Sequence, residues 1–508
     1  MFMFLTRRLL TSALVVLIST LVMYVLVSIA IDPLEDLRAS TDPNKEALIA
    51  SRTNALDLNT PVLLRYLDWL SGIPRGYLGV NWQTNQQVTE LLSGAVTTTL
   101  QLVTVAALLA IMLGVFVGIV SALRQYSGFD YSLTLLSFLL YSLPTFWVAV
   151  LLKQFLAIEF NNFLDEPGIA WWFYVVVILA SGIVTMAAVG GTARKRLQVF
   201  GIAAGAGLVA VAYMDLTDFF VTPGLGIIMV AVLGIAIAVG VTGLSTGLGD
   251  RRSLYAALTV AVLGVVLYYP MLYVWYYIEV NWLIIIGLGV LTVLVGLGVG
   301  LVWGGPDKWT VARTAALTAV PVAMLLFVDR LLSSWDSFVD NGLIRGRPIS
   351  TSGRRTPNFD EGFWLNTLDL FGHLLLPTVT LVLISFASYS RYSRASTLEV
   401  LNQDYMRTAR AKGLTERTVI MRHAFRNALI PLASIVPVDI ITLVGGAVIT
   451  ERIFGWRGMG FLFADSLEKN IIDPVMAYLL IVAILAVVAN FVADLMYAVL
   501  DPRIRVNA

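Results

Sequence analysis

Apolar positions along the chain are gathered into long runs, with polar positions in the segments between them. A helix that crosses a bilayer needs about 20 mostly apolar residues, because each advances about 1.5 Å through a core about 30 Å thick. The first such run is Leu9–Ile31, preceded by Arg7 and Arg8. It is too long for the apolar part of a secretory leader, and Ile31-Asp32-Pro33 is not a small-residue cleavage site, so an uncleaved anchor is predicted. The mixed-charge, turn-rich stretch Asp32–Gly94 that follows is predicted to form a small extracytoplasmic subdomain. Further spans fall at Ala95–Leu123 and Ser132–Ile158. Closely spaced runs come next, at Trp171–Gly190, Val199–Met214, Leu225–Ser245, Leu254–Ile278, Trp282–Gly304 and Val311–Leu332. Polar residues Ser333–Trp364 separate these from the last runs, Gly372–Tyr389, Leu429–Ile449 and Val475–Leu500. The pattern predicts an all-α polytopic membrane protein with about 12 spans.

Composition agrees with that class. The 508 residues are 58% hydrophobic and 13% charged, against about 25% charged in a soluble domain, which excludes a soluble globule. With no cysteine, disulfides, thiolate metal sites and cysteine nucleophiles are excluded. Two histidines, His373 and His423, leave little for a transition-metal cage, and a net charge of +1 gives no pull on nucleic acid. The few charges report sidedness instead. Arg7 and Arg8 place the N-terminus in the cytoplasm. Within the middle block, alternate turns carry Arg194, Lys195 and Arg196, then Arg251 and Arg252, then Lys308 and Arg313. The intervening turns carry Asp215 and Asp218, then Glu279, without Lys or Arg. Positive charge resists translocation, so this alternation orients the block independently and agrees with the N-terminal signal. The C-terminal residues Arg503–Ala508 are then cytoplasmic as well.

One cytoplasmic segment is far longer than the rest, from Arg391 to about Asn427, and is rich in arginine. Its apolar residues recur at near-helical spacing, among them Val400, Leu401, Met406, Ala409 and Leu414, with Gly413 and Pro431 as punctuation. Two short amphipathic helices meeting at Gly413 are predicted along the membrane face. By charge alone, a basic loop lying on anionic lipid is the plainer reading. Nucleotide chemistry has no counterpart in the chain: there is no Gly-x4-Gly-Lys-Ser/Thr run, and Gly205-Ala206-Gly207-Leu208-Val209-Ala210 lies inside an apolar run with no preceding strand. Small residues four apart, as in Gly114 with Gly118, Gly201 with Gly205, and Gly296 with Gly300, are predicted to let helices approach closely. No nucleophile–base pair stands out, so the chain is not expected to be an enzyme.

An ionisable residue at the bilayer centre costs about 2.5–3.5 kcal/mol on insertion scales, which makes each a functional candidate. Asp439 is the most deeply placed and is the translocation-path candidate, although pairing with a partner helix would serve equally well. Lys153 and Asp494 lie nearer span ends. So few buried charges argue against a proton or ion relay, and hence against a twelve-span secondary transporter.

The run Asp404-Tyr405-Met406-Arg407-Thr408-Ala409-Arg410-Ala411-Lys412-Gly413-Leu414 resembles the cytoplasmic signature of ABC importer permeases. It continues as Arg422-His423-Ala424-Phe425-Arg426-Asn427-Ala428-Leu429-Ile430-Pro431, and Glu451-Arg452-Ile453-Phe454-Gly455-Trp456 with Gly458-Met459-Gly460 follows. Arg75-Gly76-Tyr77-Leu78-Gly79, Ser142-Leu143-Pro144-Thr145-Phe146-Trp147 and the tail from Asp494 to Arg503 match in the same order. Together these are similar to the B-type permease subunit of dipeptide/oligopeptide importers, a group that also contains nickel permeases. The resemblance implies a six-helix permease core, and a substrate that is a peptide or, alternatively, nickel or another small solute. Implied partners are a second related permease, two ABC ATPase subunits that bind ATP and Mg, and an extracytoplasmic substrate-binding protein. No cofactor is implied in this chain. Tyr405, Arg407, Thr408, Ala409, Arg410, Lys412, Gly413 and Leu414 would form the coupling helix that docks on an ATPase subunit.

On this resemblance the chain divides into an N-terminal transmembrane helix (1–31), an extracytoplasmic segment (32–94), a first part of the core (95–160), an inserted bundle of about six transmembrane helices (161–345) and a second part of the core (346–508), which holds the coupling segment 391–428. Arg457 stands where the family has proline, a departure in the extracytoplasmic loop. An even number of inserted helices returns the chain to the same side, whereas an odd number would invert the coupling segment. The inserted block is expected to be a peripheral accessory bundle.

Overall fold

The computed structural model describes residues 2–189 and 192–500. Gly190 and the tail from Asp501 onward, with Pro502, Arg503 and the C-terminal residues to Ala508, lie outside the described residues, as do the side chains of Arg7 and Arg8. The chain opens with α1 (Phe2–Ala30) and three short helices, α2 (Glu35–Ala39), α3 (Lys45–Ala55) and α4 (Val62–Gly72). A minimal antiparallel hairpin follows, β1 (Val80–Asn81) with β2 (Gln86–Gln87), pairing Val80 with Gln87 and Asn81 with Gln86. This segment is anchored to both ends of the chain. Tyr66 and Trp69 of α4 pack with Tyr24 of α1 and with Met476 and Leu480 near the C-terminus, and the Val80 amide donates to Asp473 at 2.9 Å.

Helix α5 (Val88–Leu123) is a single long span. The next span is not straight. It comprises α6 (Gly128–Ser142), α7 (Thr145–Leu152), a π-helical stretch at Lys153–Ile158 and α8 (Glu159–Asp165), and it turns by 102° between Ser142 and Thr145. Pro144 explains the break: it has no amide hydrogen to donate, and it drives the preceding Leu143 to extended backbone (φ −80°, ψ 130°). The span expected at Ser132–Ile158 is therefore a bent one.

The middle block contributes α9 (Trp171–Val189), α10 (Ala193–Leu216), α11 (Gly226–Ser245), α12 (Arg251–Val266) with α13 (Tyr268–Tyr277), α14 (Trp282–Trp303), α15 (Lys308–Leu332) and the short α16 (Trp335–Val339). Helices α12 and α13 make one span bent by 48°. After a loop come α17 (Gly362–Leu401), α18 (Asp404–Ala411), the three-residue α19 (Glu416–Thr418), α20 (Phe425–Gly446), α21 (Val448–Ile453), α22 (Met459–Glu468) and α23 (Ile472–Leu500). Among the described residues, eight helices are long and apolar enough to cross a membrane, and 11 segments are if each bent pair counts as one span. The apolar stretch Trp171–Ala187 is shorter than the rest. Each of the 12 segments expected from the sequence corresponds to one of these.

Small residues set the closest helix contacts. A side chain on Gly114 would meet Tyr389 Cβ at 2.6 Å, and one on Gly118 would meet the Ser390 carbonyl at 2.5 Å, so α5 and α17 touch backbone to backbone. Gly296 and Gly300 do the same for α14 against Ala316 and Ala312 of α15. Gly201 and Gly205 have nothing within 4 Å, which corrects that expectation: the pair faces away from other helices of this chain.

Contacts between loops sort the chain ends of the helices into two poles. At one pole Gln83 and Asn470 meet Lys469 and Glu35 respectively, Gly353 donates to Phe454, and Asn161 exchanges hydrogen bonds with Ile349 at 2.8 and 3.2 Å. The last contact joins the residues that flank the middle block. At the other pole Arg394 pairs with Asp130 at 2.6 Å, and Arg417 donates to the Leu244 carbonyl at 2.8 Å.

Candidate functional site

The long basic segment is built differently from the two separate helices expected. No glycine or proline interrupts Tyr389–Leu401, so α17 simply continues beyond its apolar part. Only α18 is an independent amphipathic helix. The stretch begun by α19 runs through a π-helical turn at Val419–Ala424 into α20, because nothing between Glu416 and Leu429 breaks the backbone pattern. The join between α18 and α19 is Gly413, in left-handed conformation at φ +75°, the usual glycine stop at the end of a helix.

Helix α18 is seated by one face. Met406 and Ala409 are buried against Val419, Ala424, Val400 and Leu401. Tyr405 accepts a hydrogen bond from Asn427 at 3.2 Å, and the Thr408 hydroxyl bonds back to the Asp404 carbonyl. The other face is presented outward. Arg407 is 74% exposed and lies 3.9 Å from Asp404, while Lys412, Gly413 and Leu414 are all exposed. Arg410 is held by Glu416 at 2.8 Å, a contact that raises the guanidinium pKa and clamps the Gly413 turn from both sides. A side chain on Gly413 would have open space around it within this chain. The glycine is thus required here by backbone conformation; any steric demand must come from a docked partner.

Asp439 lies on α20, half-buried, against Tyr389 of α17. It is about six helical turns from the start of α19, at about 5.4 Å per turn, and is not brought together with the α18 residues. Among the described residues, no group of three or more His, Asp or Glu side chains is placed to hold a metal ion. A cavity of about 220 Å³ sits at the seam where the middle block returns, lined in part by Asn161, Arg347, Thr356, Asp369 and His373. Several of its polar groups are engaged: Asp369 accepts from the Thr356 amide at 3.0 Å and hydroxyl at 2.6 Å, and His373 Nδ1 meets the Gly353 carbonyl at 2.9 Å.

Glu451, part of the Glu451-to-Trp456 sequence motif, organises a buried polar network. Glu451 is fully buried. It accepts from the Thr99 hydroxyl at 2.6 Å and from the Phe461 amide at 2.9 Å, and Thr99 in turn accepts from the Met459 amide at 2.8 Å. The carboxylate therefore caps the N-terminal turn of α22 and locks it to α5. Gly458 belongs to this arrangement because a side chain there would collide with Glu451 at 2.3 Å. Trp456 and Phe454 are buried beside it, and Arg457 is exposed at the loop tip. Arg354 on the neighbouring loop is half-buried and donates to Thr98 at 3.3 Å; burial, then the adjacent Arg355, lowers its pKa.

A short amphipathic helix seated at one pole of a bundle of membrane-crossing helices defines a multi-pass membrane protein. The sequence model described as "Binding-protein-dependent transport system inner membrane component" matches residues 253–506, half of the chain. The chain belongs to that family. The matched range starts inside α12, so it covers part of the middle block as well as α17–α23. The chain is 44% identical over 154 residues to the oligopeptide transport system permease protein AppB of Bacillus subtilis (strain 168), covering 30% of this chain and 48% of that one. It is 38% identical over 186 residues to the oligopeptide transport system permease protein OppB of Mycobacterium tuberculosis (strain ATCC 25618 / H37Rv), covering 37% and 55%. Against the dipeptide transport system permease protein DppB of Escherichia coli (strain K12), identity is 43% over 140 residues, covering 28% and 41%. The chain spans about half the length of these relatives.

Proposed function

We propose that the chain is a transmembrane permease subunit of an ATP-binding-cassette importer and forms half of a pathway for di- or oligopeptides. A second permease supplies the other half. An extracytoplasmic binding protein delivers substrate, and two separate ATPase subunits bind ATP and Mg and drive the cycle. The observation that carries this reading is α18: Met406 and Ala409 seat it, while Arg407, Lys412 and Leu414 stay exposed beside a glycine turn at the arginine-rich pole. A protein of known family with such a helix has a place for a motor to push. The peptide substrate is supported by the names of the relatives, each a peptide permease over the matched stretch.

In this reading the arginine-rich pole is cytoplasmic and the pole bearing the β-hairpin, Glu451 and the 220 Å³ cavity is extracytoplasmic. Closure of the ATPase dimer displaces α18. Because α17 continues into α18 with only Asn402 and Gln403 between them, that displacement tilts a span directly. Asp439, facing Tyr389 on the same moving helix, is our candidate for the translocation path. The test is ATP-driven uptake by the reconstituted complex carrying Gly413→Asp. We expect normal membrane insertion and abolished uptake, because a charged side chain enters the docking surface. Uptake equal to that of the unaltered protein would remove the coupling assignment.

A further inference from the structure

The middle block touches the coupling segment, and it does so at the end of a helix whose other end is fixed to α17. Helix α11 has 20 residues and so spans about 30 Å. At its N-terminal end the amides of Leu225 and Gly226 donate to Asp329 at 2.8 and 2.9 Å, and the Tyr268 hydroxyl donates to the other oxygen of the same carboxylate at 2.8 Å. Val230, one turn further on, belongs to a buried cluster with Val322, Leu326 and, from α17, Trp364 and Leu368. That end of α11 is thereby joined to the first turns of α17.

At the C-terminal end Arg417 reaches the Leu244 carbonyl at 2.8 Å. The last carbonyls of a helix carry the negative end of its dipole, so a guanidinium there is favoured. Gly247, at φ +89°, leaves the room: a side chain on it would fall 2.1 Å from the Arg417 guanidinium. Arg417 directly follows Glu416, which holds Arg410 of α18. The connections close a ring, from α17 through the buried cluster to α11, through Arg417 to α19, through Glu416 to α18, and back to α17.

We infer that α11 is a strut tying the inserted bundle to the motor contact, with Arg417 as the positioning residue that makes the bundle move with α18. This rests on the reading of α18 as the ATPase dock. A strut loads the coupling segment: each displacement of α18 must also carry α11 and the helices packed on it. Cutting the tie removes that load, so ATP hydrolysis should quicken rather than fail. A loss of folding or assembly would lower the rate, so the direction of change separates the two.

The experiment measures basal ATP hydrolysis by the intact complex in lipid nanodiscs, which needs no knowledge of the substrate. We expect Arg417→Ala and Gly247→Val each to raise the rate at least threefold. Arg417→Lys, which can still donate to Leu244, should stay within twofold of the unaltered complex. The double variant should hydrolyse no faster than either single one, because both remove the same contact. Rates for Arg417→Ala and Gly247→Val that are unchanged or lowered, or that multiply in the double variant, would overturn the strut. Gly413→Asp runs in parallel, read by co-purification of the ATPase subunits. If it still binds them fully, the docking reading fails; if it sheds them while the Arg417 and Gly247 variants behave as unaltered, only the strut fails.

Discussion

At the scale of single residues, Gly413 and Glu451 illustrate two ways a motif position acts. Gly413 is required by its backbone: at φ +75° a side chain costs about 1 kcal/mol, small enough for the turn to survive. Gly413→Ala should therefore retain much of the uptake that Gly413→Asp abolishes, and comparison of the two in the same vesicles separates backbone strain from obstruction of the dock. Glu451 acts through burial. Replacing it with alanine leaves the Thr99 hydroxyl and the Phe461 amide without their acceptor, at about 1–3 kcal/mol. Glu451→Ala should lower the thermal unfolding midpoint in detergent, and Glu451→Gln, which keeps an acceptor oxygen, should lower it less. Equal midpoints for all three proteins would contradict the capping role. Glu451 stands in a motif visible in the sequence, yet its partner Thr99 is about 350 residues away in an unremarked stretch of α5. Local pattern cannot reveal a pair of that kind.

Among the elements, the places of the apolar spans were legible and bends were not. Apolar run length is a direct consequence of bilayer thickness, so each expected span has a helix to match it. A run says nothing of direction, and the 102° turn at Pro144 appears in the sequence only as a proline among apolar residues. The same limitation merged α19 with α20: a basic stretch reads as a loop by charge, although its backbone has no reason to leave the helix. Pairs of glycines were partly legible, because Gly114/Gly118 and Gly296/Gly300 face a neighbour while Gly201/Gly205 does not, and spacing alone cannot distinguish them. Gly118 offers the element-scale test. A valine there would need to displace the Ser390 carbonyl and the neighbouring Ser393 side chain, so Gly118→Val should force α5 and α17 apart. We expect poor yield of folded protein in detergent by size-exclusion chromatography, with Gly201→Val, in open space, yielding normally; equal yields would contradict the packing.

For the whole molecule, the arrangement rests on an even number of added crossings. Asn161 and Ile349 are hydrogen-bonded although 188 positions apart, so the middle block leaves and returns at one pole. If the arginine-rich pole is cytoplasmic, a single cysteine at Arg251 should react with an impermeant thiol reagent only from the cytoplasmic side, and one at Asp218 only from outside. The opposite labelling would invert the block and separate Leu244 from Arg417, which donates to its carbonyl. The family was legible because its signature forms a contiguous run. The role of the added helices was not, because Arg417, Gly247 and Asp329 acquire meaning only when distant helices pack. The central claim, that this chain is a permease subunit driven by separate motors, is tested most directly by uptake of a labelled tripeptide into proteoliposomes. The vesicles would hold the chain with its second permease and binding protein, with or without the two ATPase subunits. We expect uptake only when the ATPases and ATP are both present, and none with Gly413→Asp; uptake by the permeases alone, driven by an ion gradient and indifferent to ATP, would contradict it.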